Sequence, residues 1–105
     1  MQTIQVLFSI DYDSGHAPWW IGEGVESWVA SQARTLPEIV HEMERIFAAH
    51  FMSCREVGND PCSVPMPIDR VVAFNKAPST HRAVLYVDDQ ADYVTATFVK
   101  PDGTP

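Results

Sequence analysis

Four carboxylates crowd the first quarter of this chain: Asp11, Asp13, Glu23 and Glu26. Carboxylates gathered on one sheet surface can hold divalent cations for phosphodiester hydrolysis. Asp11 and Asp13 share a face by the two-residue period of a strand. The same residues have a plainer use, since Asp13-Ser14-Gly15 is turn chemistry and glutamates sit readily on the wet face of a sheet. A metal nuclease must also hold an anionic substrate, and this chain has 7 Lys plus Arg against 14 Asp plus Glu. The second candidate is His50 with Cys54, four apart on one helical face, a spacing that lets two side chains reach one metal. Zinc needs two more donors, for which Cys62 and His81 are the candidates, with no C-x-x-C or H-x-x-x-H pair to support them. His50 also falls on an apolar stripe, where a rim histidine is the commoner occupant. His16 and His41 read as solvated. No Gly-x-Gly-x-x-Gly, P-loop or nucleophile elbow occurs. The expectation is a chain that is not an enzyme, with no catalytic residues, no metal and no cofactor.

The tryptophans say more. Trp19 and Trp20 are adjacent on an extended run, so they point to opposite faces of a sheet and only one can lie under a covering helix. The other packs beneath a C-terminal hairpin, shields an edge, or anchors an interface, a role in which tryptophan is enriched. With Asp11, Asp13, Glu23 and Glu26 as a charged rim, Trp19 and Trp20 form a candidate partner-binding surface for a cationic protein. Asp88, Asp89 and Asp92 make a second acidic cluster, at a turn.

The elements that would position these groups are legible in the pattern. Thr3 to Asp13 alternates as a strand, with Ile4, Val6, Phe8 and Ile10 on one face. Trp19 to Glu26 reads as a second strand, its Gly22 and Gly24 suggesting a bulge or a close approach. Trp28-Val29-Ala30 reads as a third, completing a meander. Thr35 and Glu38 have the spacing of a capping box, each side chain satisfying the other's backbone N–H, with Leu36 and Pro37 in the first turn. Behind them Leu36, Ile39, Val40, Met43, Ile46, Phe47 and Phe51 draw one apolar stripe. His41, Glu42, Glu44, Arg45 and Ala48 fall on the other side. Gly58 and Asn59-Asp60-Pro61 end the helix. Residues 59–80 read as a proline-containing connection with a short strand at Val71 to Phe74. His81 to Asp88 and Tyr93 to Lys100 then form a hairpin around Asp89-Gln90-Ala91-Asp92, followed by a tail at 101–105. The fold class expected is α+β: an antiparallel sheet in β-β-β-α-β order, one long helix on one face, and a C-terminal hairpin.

Length and charge bound the rest. The 105 residues suit one domain, with 46% hydrophobic and 20% charged residues. A net charge of −7 opposes phosphate backbones and attracts basic partners. The longest apolar run, Ala83 to Val87, is far below the roughly 18 residues of a membrane span. No basic, apolar leader opens the chain, and two cysteines are too few for a disulfide framework, so reduced thiols and a cytoplasmic location are expected.

Taken together, the first strand, its Asp-Tyr-Asp-Ser-Gly turn, the strand holding Trp20 to Val25, the segment ending in Ala30-Ser31-Gln32, and Thr35-Leu36-x-Glu38 opening a long helix resemble the HicB-type antitoxin domain. The exit through Cys54-Arg55-Glu56-Val57-Gly58-Asn59-Asp60-Pro61 to Pro65-Met66-Pro67 is similar too, so the resemblance spans residues 3–67. It implies a partial RNase H-like fold, non-catalytic, that caps a small basic RNA-cleaving toxin of HicA type. Two departures stand out. No helical period or basic recognition element follows Pro67, so operator binding is not implied. Glu26-Ser27-Trp28 also replaces the family's usual segment between the second and third strands. The leading expectation is a non-enzymatic HicB-like protein that neutralises or regulates a basic partner, without binding nucleic acid or membrane itself. The alternatives are an acidic nucleic-acid-mimicking inhibitor and a metal-dependent nuclease on the RNase H-like sheet. Open sheet edges also make a homodimer plausible.

Overall fold

The computed structural model describes residues 1–12 and 17–101. Among the described residues five strands and two helices follow one another: β1 (Gln2–Asp11), β2 (Trp19–Gly24), β3 (Ala30–Ala33), α1 (Leu36–Val57), α2 (Ile68–Lys76), β4 (Arg82–Asp88) and β5 (Thr95–Val99), with a 3₁₀ turn at Ser79–His81. The strands form one sheet in the order β3-β2-β1-β4-β5, every neighbouring pair antiparallel. The α+β class is the one expected from the pattern.

Alternation along β1 decides what each face does. Ile4, Val6 and Phe8 are buried in a cluster with Ile39, Val40, Met43, Phe47 and Phe51 of α1, and with Leu85, Val87 and Phe98. The expected stripe is thus the buried one, with Leu36 and Ile46 half-buried beside it. Ala48 also packs on this cluster and Glu44 is half-buried, because β3 and β5 both reach the helix and widen its covered side. Gly22 and Gly24 lie on the same face. A Cβ at Gly22 would stand 2.8 Å from Met43 Cγ and Sδ, and one at Gly24 would be 2.5 Å from Phe47 Cζ and would collide with the Ser27 carbonyl. These glycines allow the close approach of α1, and in Gly24's case of the following loop.

The helix ends follow the sequence. Thr35 Oγ1 accepts from the Glu38 N–H at 3.3 Å, but the Glu38 carboxylate accepts from the Thr35 hydroxyl at 3.0 Å, where the capping-box expectation had a backbone N–H. At the other end Gly58 has φ +74°, and the amides of Gly58 and Asn59 return to the carbonyls of Arg55 and Cys54.

Three expectations need correction. Val71 to Phe74 is not a strand but the middle of α2, so helical structure does follow Pro67. The Val71-Val72 pair suggested β structure, whereas Val71 and Phe74, one turn apart, are held by packing on Leu7 and Met66. Asp69 near its start and Lys76 near its end suit the helix dipole. Trp28 and Val29 lie in the loop between β2 and β3, closed by Gly24 N–H to Val29 O at 3.0 Å, so β3 begins at Ala30. The last strand begins at Thr95, leaving Tyr93 exposed and Val94 buried ahead of it. The Asp13-Ser14-Gly15 turn lies outside the described residues.

Residues 59–67 carry the chain from the α1 face to the α2 face. They run beside the β2–β3 loop, held by Trp28 N–H to Val64 O and Met66 N–H to Val25 O, both 2.9 Å. Among the described residues no helix is long and apolar enough to cross a membrane.

Candidate functional site

The face of the sheet opposite α1 is only half covered. On it the register sets Leu7 against Glu23, Ser9 against Ile21, and Asp11 against Trp19, while Ile21 in turn faces Gln32 of β3. α2 covers the Leu7 end, where Leu7, Met66 and Phe74 are buried with Val25, Val71, Ala73 and Ala77 against them. Past Arg70 the helix no longer reaches. Among the described residues no helix covers Ser9, Asp11, Trp19, Ile21, Gln32 and Arg34, which form an open patch with Ser9, Trp19 and Ile21 half-buried and the other three exposed. Two adjoining hollows mark its boundary with α2: one of about 440 Å³ lined by Ser9, Asp11, Ile21, Glu23 and Arg70, the other of about 360 Å³ lined by Ser9, Tyr12, Arg70, Ala73, Ala77 and His81, among others.

The boundary itself is an ion pair. Glu23 is only 7% exposed, and Arg70 grips it with both prongs, Nε–H to Oε1 at 3.1 Å and Nη2–H to Oε2 at 2.5 Å. A carboxylate so buried requires a cation, and the pairing raises the Arg70 guanidinium above its ordinary value. This pair spans β2 and α2 and so ties the second helix to the sheet.

At the far end Trp19 and Trp20 divide as adjacent strand residues must. Trp20 packs with the α1 cluster. Trp19 faces the open side, its ring under the Arg34 guanidinium at 3.5 Å from the centroid, while Arg34 Nη1–H donates to the Ala17 carbonyl at 2.6 Å. The cation holds the indole in one position, at the price of covering one of its faces.

The remaining candidates are employed within the chain. Glu26 stands in for a neighbouring strand, its Oε2 accepting from the Gln5 backbone N–H at 2.8 Å and its Oε1 from the Gln5 amide at 3.0 Å. Glu23 and Glu26 each have a partner within the chain, and among the described residues they do not gather with Asp11 into a group that could hold a metal ion. Asp11 is exposed at the patch's end and has a partner within the molecule. Asp13 and His16 lie outside the described residues. Trp28, 44% exposed, stands in the β2–β3 loop, away from the other two tryptophans. Asp88 and Asp89 accept from Gln90 in the β4–β5 turn.

The donors considered for a metal are arranged otherwise. His50 Nε2–H donates to the Pro61 carbonyl at 2.9 Å, and the buried Ser27 hydroxyl donates to the same oxygen at 2.7 Å. Cys54 Sγ lies 3.9 Å from both ring nitrogens of His50, and Cys62 Sγ accepts from the Gln2 amide at 3.1 Å. His81 is elsewhere, beside Thr80 at the second hollow. Among the described residues no three His, Cys, Asp or Glu side chains gather closely enough to hold a metal ion.

Sequence reasoning missed Ser9, Ile21, Gln32, Arg34 and Arg70. The strand parity of Trp19 places Ile21 and Ser9 on its face, but the pattern reads 59–80 as a connection with a short strand at Val71 to Phe74, so nothing in it shows where the cover of α2 ends. No protein-family model, curated protein or solved structure matches the chain. Fold and surface together define an α+β domain with one fully covered and one half-covered sheet face.

Proposed function

We propose that this chain is a non-enzymatic binding protein of HicB-like type that docks a basic protein, such as a small RNA-cleaving toxin, on the open half of its sheet. The observation that carries the reading is that patch: Ile21 between Ser9 and Gln32, with Trp19 held rigid at its edge and the Glu23–Arg70 pair as its inner wall. A fixed aromatic beside an apolar centre and a satisfied polar rim is the composition of a docking surface. On the outer side of α2, Ile68 and Val72 add exposed apolar area, with Ile68 83% exposed. The patch roughly balances its own charges, Asp11 and Glu23 against Arg34 and Arg70. Steering of a basic partner therefore comes from the net charge of −7 carried by the whole molecule.

The test is affinity capture at low salt with the tagged chain, from cells expressing the reading frames beside its gene. The reading expects a small basic protein to be retained by the wild type and by an Arg45→Ala control on the solvent side of α1. It should be lost with Ile21→Arg and weakened by added salt. Capture unaffected by Ile21→Arg would contradict it, as would a divalent-metal nuclease activity abolished by Asp11→Ala.

A further inference from the structure

Of the two hollows beside α2, the one at its C-terminal end differs in chemistry from its neighbour. It measures about 360 Å³, and its apolar wall is made by Leu7 of β1 with Ala73, Ala77 and Pro78 from α2 and its exit. Ala73 and Ala77 stand one turn apart, so the helix presents two small side chains where larger ones would close on the sheet. After Pro78 the 3₁₀ turn at Ser79–His81 brings His81 into the same wall. Tyr12, 72% exposed, adds a phenol at the rim.

Among the described residues no carboxylate lines this hollow, although the chain carries 14 Asp plus Glu against 7 Lys plus Arg. The adjoining hollow is lined by Asp11 and Glu23. The polar side chains that do line it can all donate. Glu23 takes the Nε–H and one Nη2–H of Arg70, which leaves three of the five guanidinium donors outside that pair. The Arg70 side chain is 35% exposed, and the pair with Glu23 holds it still, so an arriving anion does not have to order it. With the Thr80 hydroxyl donating to His81 Nδ1 at 3.2 Å, the ring proton sits on Nε2 as a further donor.

We infer that this hollow is a binding site for a small aromatic carboxylate, its ring against Leu7, Ala73 and Ala77 and its anionic end on Arg70 and His81. Apolar walls with a few converging polar groups are the composition of a small-molecule site. A carboxylate matches the planar edge of a guanidinium. A phosphate dianion is less suited, because Glu23 already offsets Arg70 and a net charge of −7 opposes the second negative charge as well. The occupant needs no protein partner, so the site stands apart from the docking reading even though it borders the open patch.

The test follows the backbone amides of the intact chain by NMR while naphthoate is added at constant ionic strength. Saturable shifts at Leu7, Ser9, Ala73 and His81 are expected, with a Kd on the order of 1 mM for a ligand of that size. Naphthylmethanol, the neutral analogue, should bind about fivefold more weakly or less well still, for want of charge-assisted hydrogen bonds. Ala73→Leu, which fills the hollow, should weaken binding by about tenfold or more, and His81→Ala by about threefold. The assignment is overturned by an absence of saturable shifts in the wild type, by shifts centred on other residues, or by equal binding of the alcohol. Tighter binding of naphthyl phosphate would overturn it too, and would give the hollow to phosphate esters.

Discussion

Replacing Arg70 by methionine tests how the second helix is held and the candidate surface shaped. The substitution keeps the aliphatic stem and removes the guanidinium from Glu23, whose side chain is 9% exposed where that of Arg70 is 35% exposed. Breaking a fully buried pair by removing one partner costs about 3–5 kcal/mol, and an exposed pair is worth about 0–1 kcal/mol. Here the anion is the buried member and water can enter where the cation stood, so a cost of about 2 kcal/mol is expected. Glu23→Leu alone leaves a guanidinium that reaches solvent and should cost about 1 kcal/mol. The double variant, with neither charge left, should be less damaging than the sum of the two by about 1–2 kcal/mol, the coupling of groups in direct contact. Urea unfolding followed by tryptophan fluorescence reads this directly, a 2 kcal/mol loss moving the midpoint by about 1–2 M at the slope of a small domain. Additive effects, or an Arg70→Met cost below about 0.5 kcal/mol, would refute the view that this ion pair docks α2.

Three further outcomes follow from the packing. Gly24→Ala should cost about 3 kcal/mol or more, since the new methyl meets the Ser27 backbone and the Phe47 ring, while Gly22→Ala should cost about 1–2 kcal/mol because the Met43 thioether can swing aside; thermal unfolding ranks the two. Ser27→Ala removes one of the two donors on the Pro61 carbonyl, at about 1 kcal/mol, and hydrogen exchange should quicken at the Trp28 and Met66 amides that hold the connection. Burial raises the Glu44 carboxyl above its ordinary 4.5, against smaller opposing pulls from His41, the Phe98 backbone and Lys100. The folded state then binds the proton more tightly than the unfolded one, so this residue favours folding below pH 4.5 and loses that contribution as pH rises through the folded value. Glu44→Gln should be the more stable protein at neutral pH, with the advantage shrinking toward pH 4, as read by melting temperature across that range.

What could be read from the chain depended on the range of the signal. α1 has a cap, a stripe and a glycine stop within its own residues, and all three are found where the pattern put them. The separation of Trp19 from Trp20 follows from the geometry of a strand. α2 was hidden because nine residues hold few turns and its Val71-Val72 pair favours β structure until Leu7 and Met66 are brought against it. The partners of the carboxylates were out of range for a related reason: Glu23 and Glu26 meet Arg70 and Gln5, which lie 47 and 21 residues away in sequence. A cluster of acids in sequence says nothing about which of them will be claimed by a distant cation or a strand's loose amide.

Hydrogen exchange on the purified complex with a captured basic protein bears most directly on the role assigned to this domain. Docking on the open half-sheet requires slowed exchange along 9–11, 19–21 and 32–34 relative to the chain alone, with the outer side of α1 unchanged. Protection confined to α1 or to the 89–92 turn, with those strands exchanging as freely as before, would contradict it.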